Sequence, residues 1–203
     1  MTILHNLNIA ISAHLIEHFD SGIDFGVMEQ IFNASTAFHN AVQMIKVGGY
    51  YLAALPANNT VGHGFYQFSP ELFFSLLTEK NGMESPLLLA REMTPRGRFR
   101  IIPNPSDIGD RVLIESWREI YLFVASRKIA STPSSLDVNQ FDYVLHWTQN
   151  TKLHSKTNQK SPVIQFLKPV VQKLPDFVLY IAERIFNARK ERSLDRFPLW
   201  RPK

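Results

Sequence analysis

The run from Phe19 to Leu55 limits most tightly what this chain can fold into. Phe19 to Phe25 reads as a strand with an apolar core at Ile23 to Phe25, and Gly26 ends it. A helix is expected over roughly Met28 to Ile45. Ala37, Ala41, Met44 and Ile45 recur there at helical spacing, with Phe38 and Val42 beside them. Gly48-Gly49 is expected to stop that helix, as a glycine pair past a last helical turn does. Tyr50 to Leu55 is apolar and aromatic, bounded by glycine and Pro56, which predicts a parallel strand buried on both faces. Strand, helix, glycine pair and buried strand form a βαβ unit with a right-handed crossover. The expected class is therefore α/β.

The remaining segments extend this unit. Ala57 to Phe68 (ANNTVGHGFYQF) reads as a loop. Ser69-Pro70-Glu71 then opens a helix running to about Lys80: serine caps, proline suits the first helical position, and glutamate suits the positive end. Asn81-Gly82 stops it. Pro86 to Met93 and Ile120 to Ser126 read as strands, with Thr94 to Arg111 as a long loop between them. Ser131 to Ser135 reads as linker, and a last helix is expected over Asp176 to Arg192. The expected organisation is an α/β domain over 1–130, a linker and irregular segment over 131–160, and a basic helical tail over 161–203.

Composition removes several function classes. The chain has no cysteine, so disulfides, thiolate-bound zinc and cysteine nucleophiles are excluded. Met1 to Ala13 lacks the basic start and apolar run of a signal peptide. The longest apolar candidate, Val163 to Phe186, is broken by Lys168, Pro169, Lys173, Pro175 and Asp176, which argues against a spanning helix. The expectation is a soluble, cytoplasmic protein. Residues 152–203 carry twelve Lys and Arg against four Asp and Glu, while the net charge of the whole chain is only +4. That asymmetry makes the tail a candidate membrane-surface contact, with a solvated helix face as the competing role. Aromatic and basic residues do not interleave in a recognised motif, which argues against nucleic acid.

In open α/β sheets, ligands sit outside the carboxyl ends of the strands. Two such ends are readable: Asp24-Phe25-Gly26 leading to Glu29, and Pro56 leading into the loop that reaches Phe68. In that loop Asn58, Asn59, His63, Tyr66 and Gln67 offer hydrogen-bonding side chains, and Gly62 and Gly64 flank His63. A histidine so placed can act as general base. The competing role for the Asn and Gln residues is to tie down the loop's own backbone. Asp24 and Glu29 are a candidate carboxylate pair, with helix N-terminal charge complementarity the competing role for Glu29. His5, His14, His18 and His39 form no metal-ligand pattern, and no metal is expected.

Three runs together resemble the second half of a class I S-adenosylmethionine-dependent methyltransferase: IDFGVMEQIFN (23–33), MIKVGGYYLAALPANN (44–59) and GHGFYQFSPELFF (62–74). They are similar, more narrowly, to bacterial methyltransferases often encoded near surface-glycan genes. The resemblance implies that 19–25 is the fourth strand, 50–55 the fifth and 121–125 the seventh, in a Rossmann-like, mostly parallel sheet of order 3-2-1-4-5-7-6. It implies S-adenosylmethionine as cofactor, with Asp24, Phe25 and Gly26 near its methionine end. A small-molecule or glycan acceptor would be bound by Asn58, Asn59 and Gln67. His63 would act as base, helped by Glu29 and Tyr66.

The sequence departs from the family where the cofactor is gripped. The family's glycine-rich turn after the first strand and the acidic residue ending the second have no counterpart here, and Gln30 stands where a histidine is common. The expectation is a truncated sheet, inactive alone, whose fourth strand is an edge that residues 1–16, a second copy or a partner chain must cover. The alternatives are a non-catalytic remnant or subunit that pairs through that edge, and a membrane-surface module working through the basic tail.

Overall fold

The computed structural model describes residues 2–141, 143, 144 and 197–200. The expected helix at Asp176 to Arg192 and most of the basic tail lie outside the described residues.

The fold is α/β. Among the described residues five strands form one sheet: β1 (Phe19–Phe25), β2 (Ile45–Asn58), β3 (Leu87–Glu92), β4 (Arg100–Ile101) and β5 (Ile120–Arg127), in the order β1-β2-β5-β3-β4. β1 and β2 are parallel neighbours, with Ile23 opposite Leu52 and Phe25 opposite Ala54. β5 runs antiparallel to both β2 and β3, and β4 is antiparallel to β3. Hence β1, β2 and β3 point one way while β5 and β4 are reversed. The segments assigned above to the fourth, fifth and seventh strands are adjacent in that order, and β3 takes the sixth place. This is the second half of the Rossmann-like order 3-2-1-4-5-7-6. A mostly parallel sheet is thus observed in strand direction only. Because the reversed β5 sits between β2 and β3, the single parallel ladder is β1–β2.

Between β1 and β2 the expected single helix is divided. A 3-10 turn, Met28–Gln30, is followed by extended backbone at Ile31 and then by α1 (Ala34–Met44). The Asn33 side chain accepts from the Thr36 amide at 3.4 Å, capping α1 and fixing its start. Gly48-Gly49 does not stop the helix, which ends at Met44 and passes directly into β2. The glycines lie in the register irregularity of the β1–β2 ladder, where Phe19 faces Ile45 but Ser21 faces Tyr50. A Cβ on Gly49 would stand 2.3 Å from the Asp20 carbonyl, so only glycine lets the strands approach there.

α2 (Pro70–Leu76) starts as expected, with the Ser69 side chain accepting from the Leu72 amide and Pro70 in the first turn. It is shorter than expected: a separate 3-10 turn, Glu79–Asn81, ends at Gly82 in the left-handed conformation. The stretch 94–111 is not all loop, for it contains β4 and α3 (Pro105–Ile108).

α1 and α2 lie on one face of the sheet. Tyr51, Ala53 and Leu55 of β2 and Leu122 and Val124 of β5 are buried there with Phe38, Phe68 and Phe73. The rings of Phe38, Phe68 and Phe73 meet edge to face at 5.4–6.1 Å. β2 is not buried on both faces as expected: Tyr50 is half exposed, and Leu52 and Ala54 are partly exposed. Part of that second face is covered by Phe99, whose ring meets Phe123 at 4.9 Å and Trp200 at 6.1 Å. Residues 197–200 thus return to the sheet, with Leu199 bridged to Arg100.

The segment 2–16 packs on α1 and does not cover β1. The buried side chain of Asn40 holds it, donating to the Leu7 and Ile9 carbonyls and accepting from the Ile11 amide. β1 consequently keeps Ile23 64% and Phe25 71% exposed, with no strand on its outer side among the described residues. On the other flank, residues 131–139 are tied to the sheet domain. The Ser131 hydroxyl donates to Glu17, the His39 ring meets the Pro133 carbonyl, and Asn81 exchanges hydrogen bonds with the Asp137 backbone.

Candidate functional site

Because β1 and β2 are parallel neighbours, their carboxyl ends bring Asp24–Glu29 beside the 56–68 loop. The reversal of β5 adds a third contributor: Tyr121, at its start, lies opposite Pro56. Three groups converge there. Glu29 is fully buried. His63 Nε2 lies 3.4 Å from Glu29 Oε1, without the alignment of a hydrogen bond, and 3.2 Å from the Tyr121 hydroxyl. Among the described residues neither oxygen of Glu29 has a hydrogen-bond donor. The His63 side chain is 47% exposed, so the cluster has a buried anionic end and an open imidazole end. Burial, then the negative charges of Glu29 and Glu119, raise the Tyr121 phenol above its ordinary range.

The local fold presses Glu29 into place. The backbone amides of Phe65 and Tyr66 donate to the Glu29 carbonyl at 2.7 and 3.2 Å. A Cβ on Gly64 would stand 2.7 Å from that carbonyl oxygen and 2.8 Å from Glu29 Cγ, so the loop can cross here only as glycine. Gly26 turns with φ +84, leaving the Glu29 carboxylate close beneath it.

The other candidates are occupied in holding the frame. Asp24 is buried; its carboxylate accepts from the Val27 amide at 3.1 Å and from the Tyr51 hydroxyl at 3.2 Å. Burial raises its pKa, with those hydrogen bonds opposing. The same burial, with the Asp24 charge, pushes the Tyr51 phenol well up. Tyr66 is turned away from His63, donating to the Phe32 carbonyl at 2.6 Å. Gln67 Oε1 accepts from the Thr60 amide and hydroxyl, and Asn58 Oδ1 accepts from the Asn59 amide. Asn59, at φ +56, donates to the carbonyls of Ser116 and Arg118, fastening the strand-leading loop before β5. The competing role weighed for the Asn and Gln residues, tying down backbone, is what their contacts show.

Tyr121 is the site residue that the sequence reading passed over. It borders the same loop because β5 is reversed and starts where β2 ends, a direction that its own residues do not announce.

The described residues do not by themselves fit S-adenosylmethionine. Asp24 spends its oxygens inside the protein, and Phe25 faces outward. A cavity of about 310 Å³ lies elsewhere, between the end of α2 and residues 137–144, lined by Ser75, Thr78, Lys80, Asp137 and Asn139. Among the described residues no group of three or more His, Cys, Asp or Glu is placed to hold a metal ion, and no helix is long and apolar enough to cross a membrane.

No protein-family model and no curated protein matches the chain. Among solved structures the chain is similar to an S-adenosylmethionine-dependent methyltransferase, possible histamine N-methyltransferase, from Thermotoga maritima. The identity is 17% and the TM-score 0.35, over 56% of this chain, which spans 58% of the other.

Proposed function

We propose that this chain is the acceptor-side part of an S-adenosylmethionine-dependent methyltransferase acting on a small-molecule or glycan hydroxyl, and that the cofactor side is supplied across the β1 edge. The observation that carries the reading is the strand order β1-β2-β5-β3 with β5 reversed, which gathers Glu29, His63 and Tyr121 at one sheet end. The chemistry left to these residues is proton handling. His63 removes the proton of an acceptor hydroxyl, while Glu29 and the Tyr121 hydroxyl hold the imidazole from its Nε2 side. The exposed Ile23 and Phe25 on β1 support a second polypeptide there, since an apolar strand edge left bare invites pairing. The work of such a protein belongs in the cytoplasm, where the cofactor is made.

Calorimetric titration with S-adenosylhomocysteine tests the reading. The folded chain alone is expected to show no saturable binding. The complex isolated from its native host through the tagged chain is expected to bind in the micromolar range, and Ile23→Lys with Phe25→Lys to abolish both assembly and binding. Micromolar binding by the chain alone would overturn the division between two polypeptides. No binding in either form would overturn methyl transfer.

A further inference from the structure

His63 Nε2 has two neighbours competing for it. It lies 3.4 Å from Glu29 Oε1 and 3.2 Å from the Tyr121 hydroxyl. One nitrogen cannot serve both in the same way. If Nε2 is bare, it accepts the Tyr121 proton and Glu29 is left with no donor. If Nε2 carries a proton, it can donate toward Glu29 or to the Tyr121 oxygen, and the Tyr121 O–H must donate elsewhere. Burial decides between these. Glu29 is fully buried, and among the described residues its oxygens meet no other donor, so His63, at 3.4 Å, is the group placed to serve it. Tyr121 is only partly buried, so water or a ligand can serve its hydroxyl. A charged acceptor stranded out of water is the more expensive orphan.

We infer that Glu29 is a positioning residue that holds His63 as the Nε2–H tautomer, making Nδ1 the nitrogen that takes the acceptor's proton. Nδ1 has no partner among the described residues, and the His63 side chain is half exposed. The Tyr121 O–H, released from Nε2, is left to donate to water. The site so built receives a neutral hydroxyl, which gives its proton to Nδ1. The charged groups facing the imidazole are Glu29 from the 3-10 turn and, through Tyr121, Glu119 ahead of β5. This inference rests on the proposed role of His63 as base, but its test needs neither cofactor nor acceptor.

The test is nitrogen NMR of the folded chain with ring-15N histidine, at a pH where imidazole is neutral, the His63 signals being assigned by their loss in His63→Asn. The wild type and Tyr121→Phe are expected to show His63 as the Nε2–H tautomer by at least tenfold. In Glu29→Gln the Tyr121 hydroxyl wins Nε2, and the ratio is expected to swing at least tenfold toward Nδ1–H. In Glu29→Gln with Tyr121→Phe that swing disappears. An Nδ1–H majority in the wild type, or a ratio that Glu29→Gln leaves unchanged, would overturn the inference. Should Glu29→Gln fail to fold, the wild type and Tyr121→Phe still decide it: a shift toward Nε2–H on losing the Tyr121 hydroxyl means that Tyr121, not Glu29, held the ring. Failure here leaves the cofactor titration standing, and the reverse holds equally.

Discussion

Replacing Glu29 by methionine is expected to stabilise the protein. The carboxylate is fully buried and both oxygens lack donors, a state that costs about 1–3 kcal/mol for a polar group and more for a charge. Its one compensation is His63 at 3.4 Å, and since that side chain is 47% exposed the attraction is worth at most about 1 kcal/mol. Methionine has a similar length and is apolar, so it fills the space beneath Gly26 and against Gly64 without asking for donors. The balance favours the variant by about 1–3 kcal/mol, by analogy with buried ion pairs replaced by apolar residues. In a protein of this size that raises Tm by about 3–9 °C. Urea denaturation followed by tryptophan fluorescence measures it, with a higher midpoint and an unchanged slope expected. Most substitutions of buried residues destabilise, so a gain is a discriminating result. A loss of about 1 kcal/mol or more would refute the reasoning. It would mean that the carboxylate is well served in the fold and that Glu29 is there for stability, not for His63.

Three further outcomes follow from the same geometry. Lys128 is fully buried, and its Nζ donates to the carbonyls of Val42, Gln43 and Ile45 at the end of α1, with Glu17 at 3.5 Å. Lys128→Met is expected to destabilise by about 2–4 kcal/mol in urea denaturation, because those carbonyls lose a charged donor. Burial also lowers the Lys128 pKa, with Glu17 opposing. The unfolded chain therefore binds the extra proton just below the ordinary lysine value, and wild-type stability should rise with pH through that window, a rise absent from the variant. For Asp24 the folded pKa is raised by burial, so its favourable contribution belongs to the protonated form and is lost as pH climbs above about 4. Thermal scans from pH 4 to 7 should accordingly show Asp24→Asn gaining on the wild type as pH rises, and a constant difference would contradict this. Gly64→Ala would drive a Cβ into Glu29 and is expected to cost about 1–3 kcal/mol by the same denaturation assay; a neutral result would show that the loop can lift off Glu29 freely.

The sequence by itself determined the elements whose causes are local. β1 spans Phe19–Phe25 as read, because Gly26, at φ +84, ends it. α2 begins at Pro70 because a serine cap, a proline and a glutamate favour the same turn. Tertiary structure decided what depends on distant partners. Gly48-Gly49 looked like a helix stop, yet it serves the close approach of β1 to β2, and nothing in the local sequence announces Asp20 as the neighbour. The start of the chain was one candidate cover for the β1 edge on its apolar content, but the buried amide of Asn40 offers it three backbone hydrogen bonds on α1 instead.

The candidate site divides the same way. Glu29 and His63 were legible because both follow the carboxyl ends of parallel strands. Which loop side chains face a ligand was not, because Asn59 and Gln67 are claimed by backbone groups that only the folded loop brings near. Tyr121 entered the site because β5 runs backwards between β2 and β3. Direction within a sheet is fixed by pairing across the whole domain, so it is a property of the assembled fold and not of the strand's own residues.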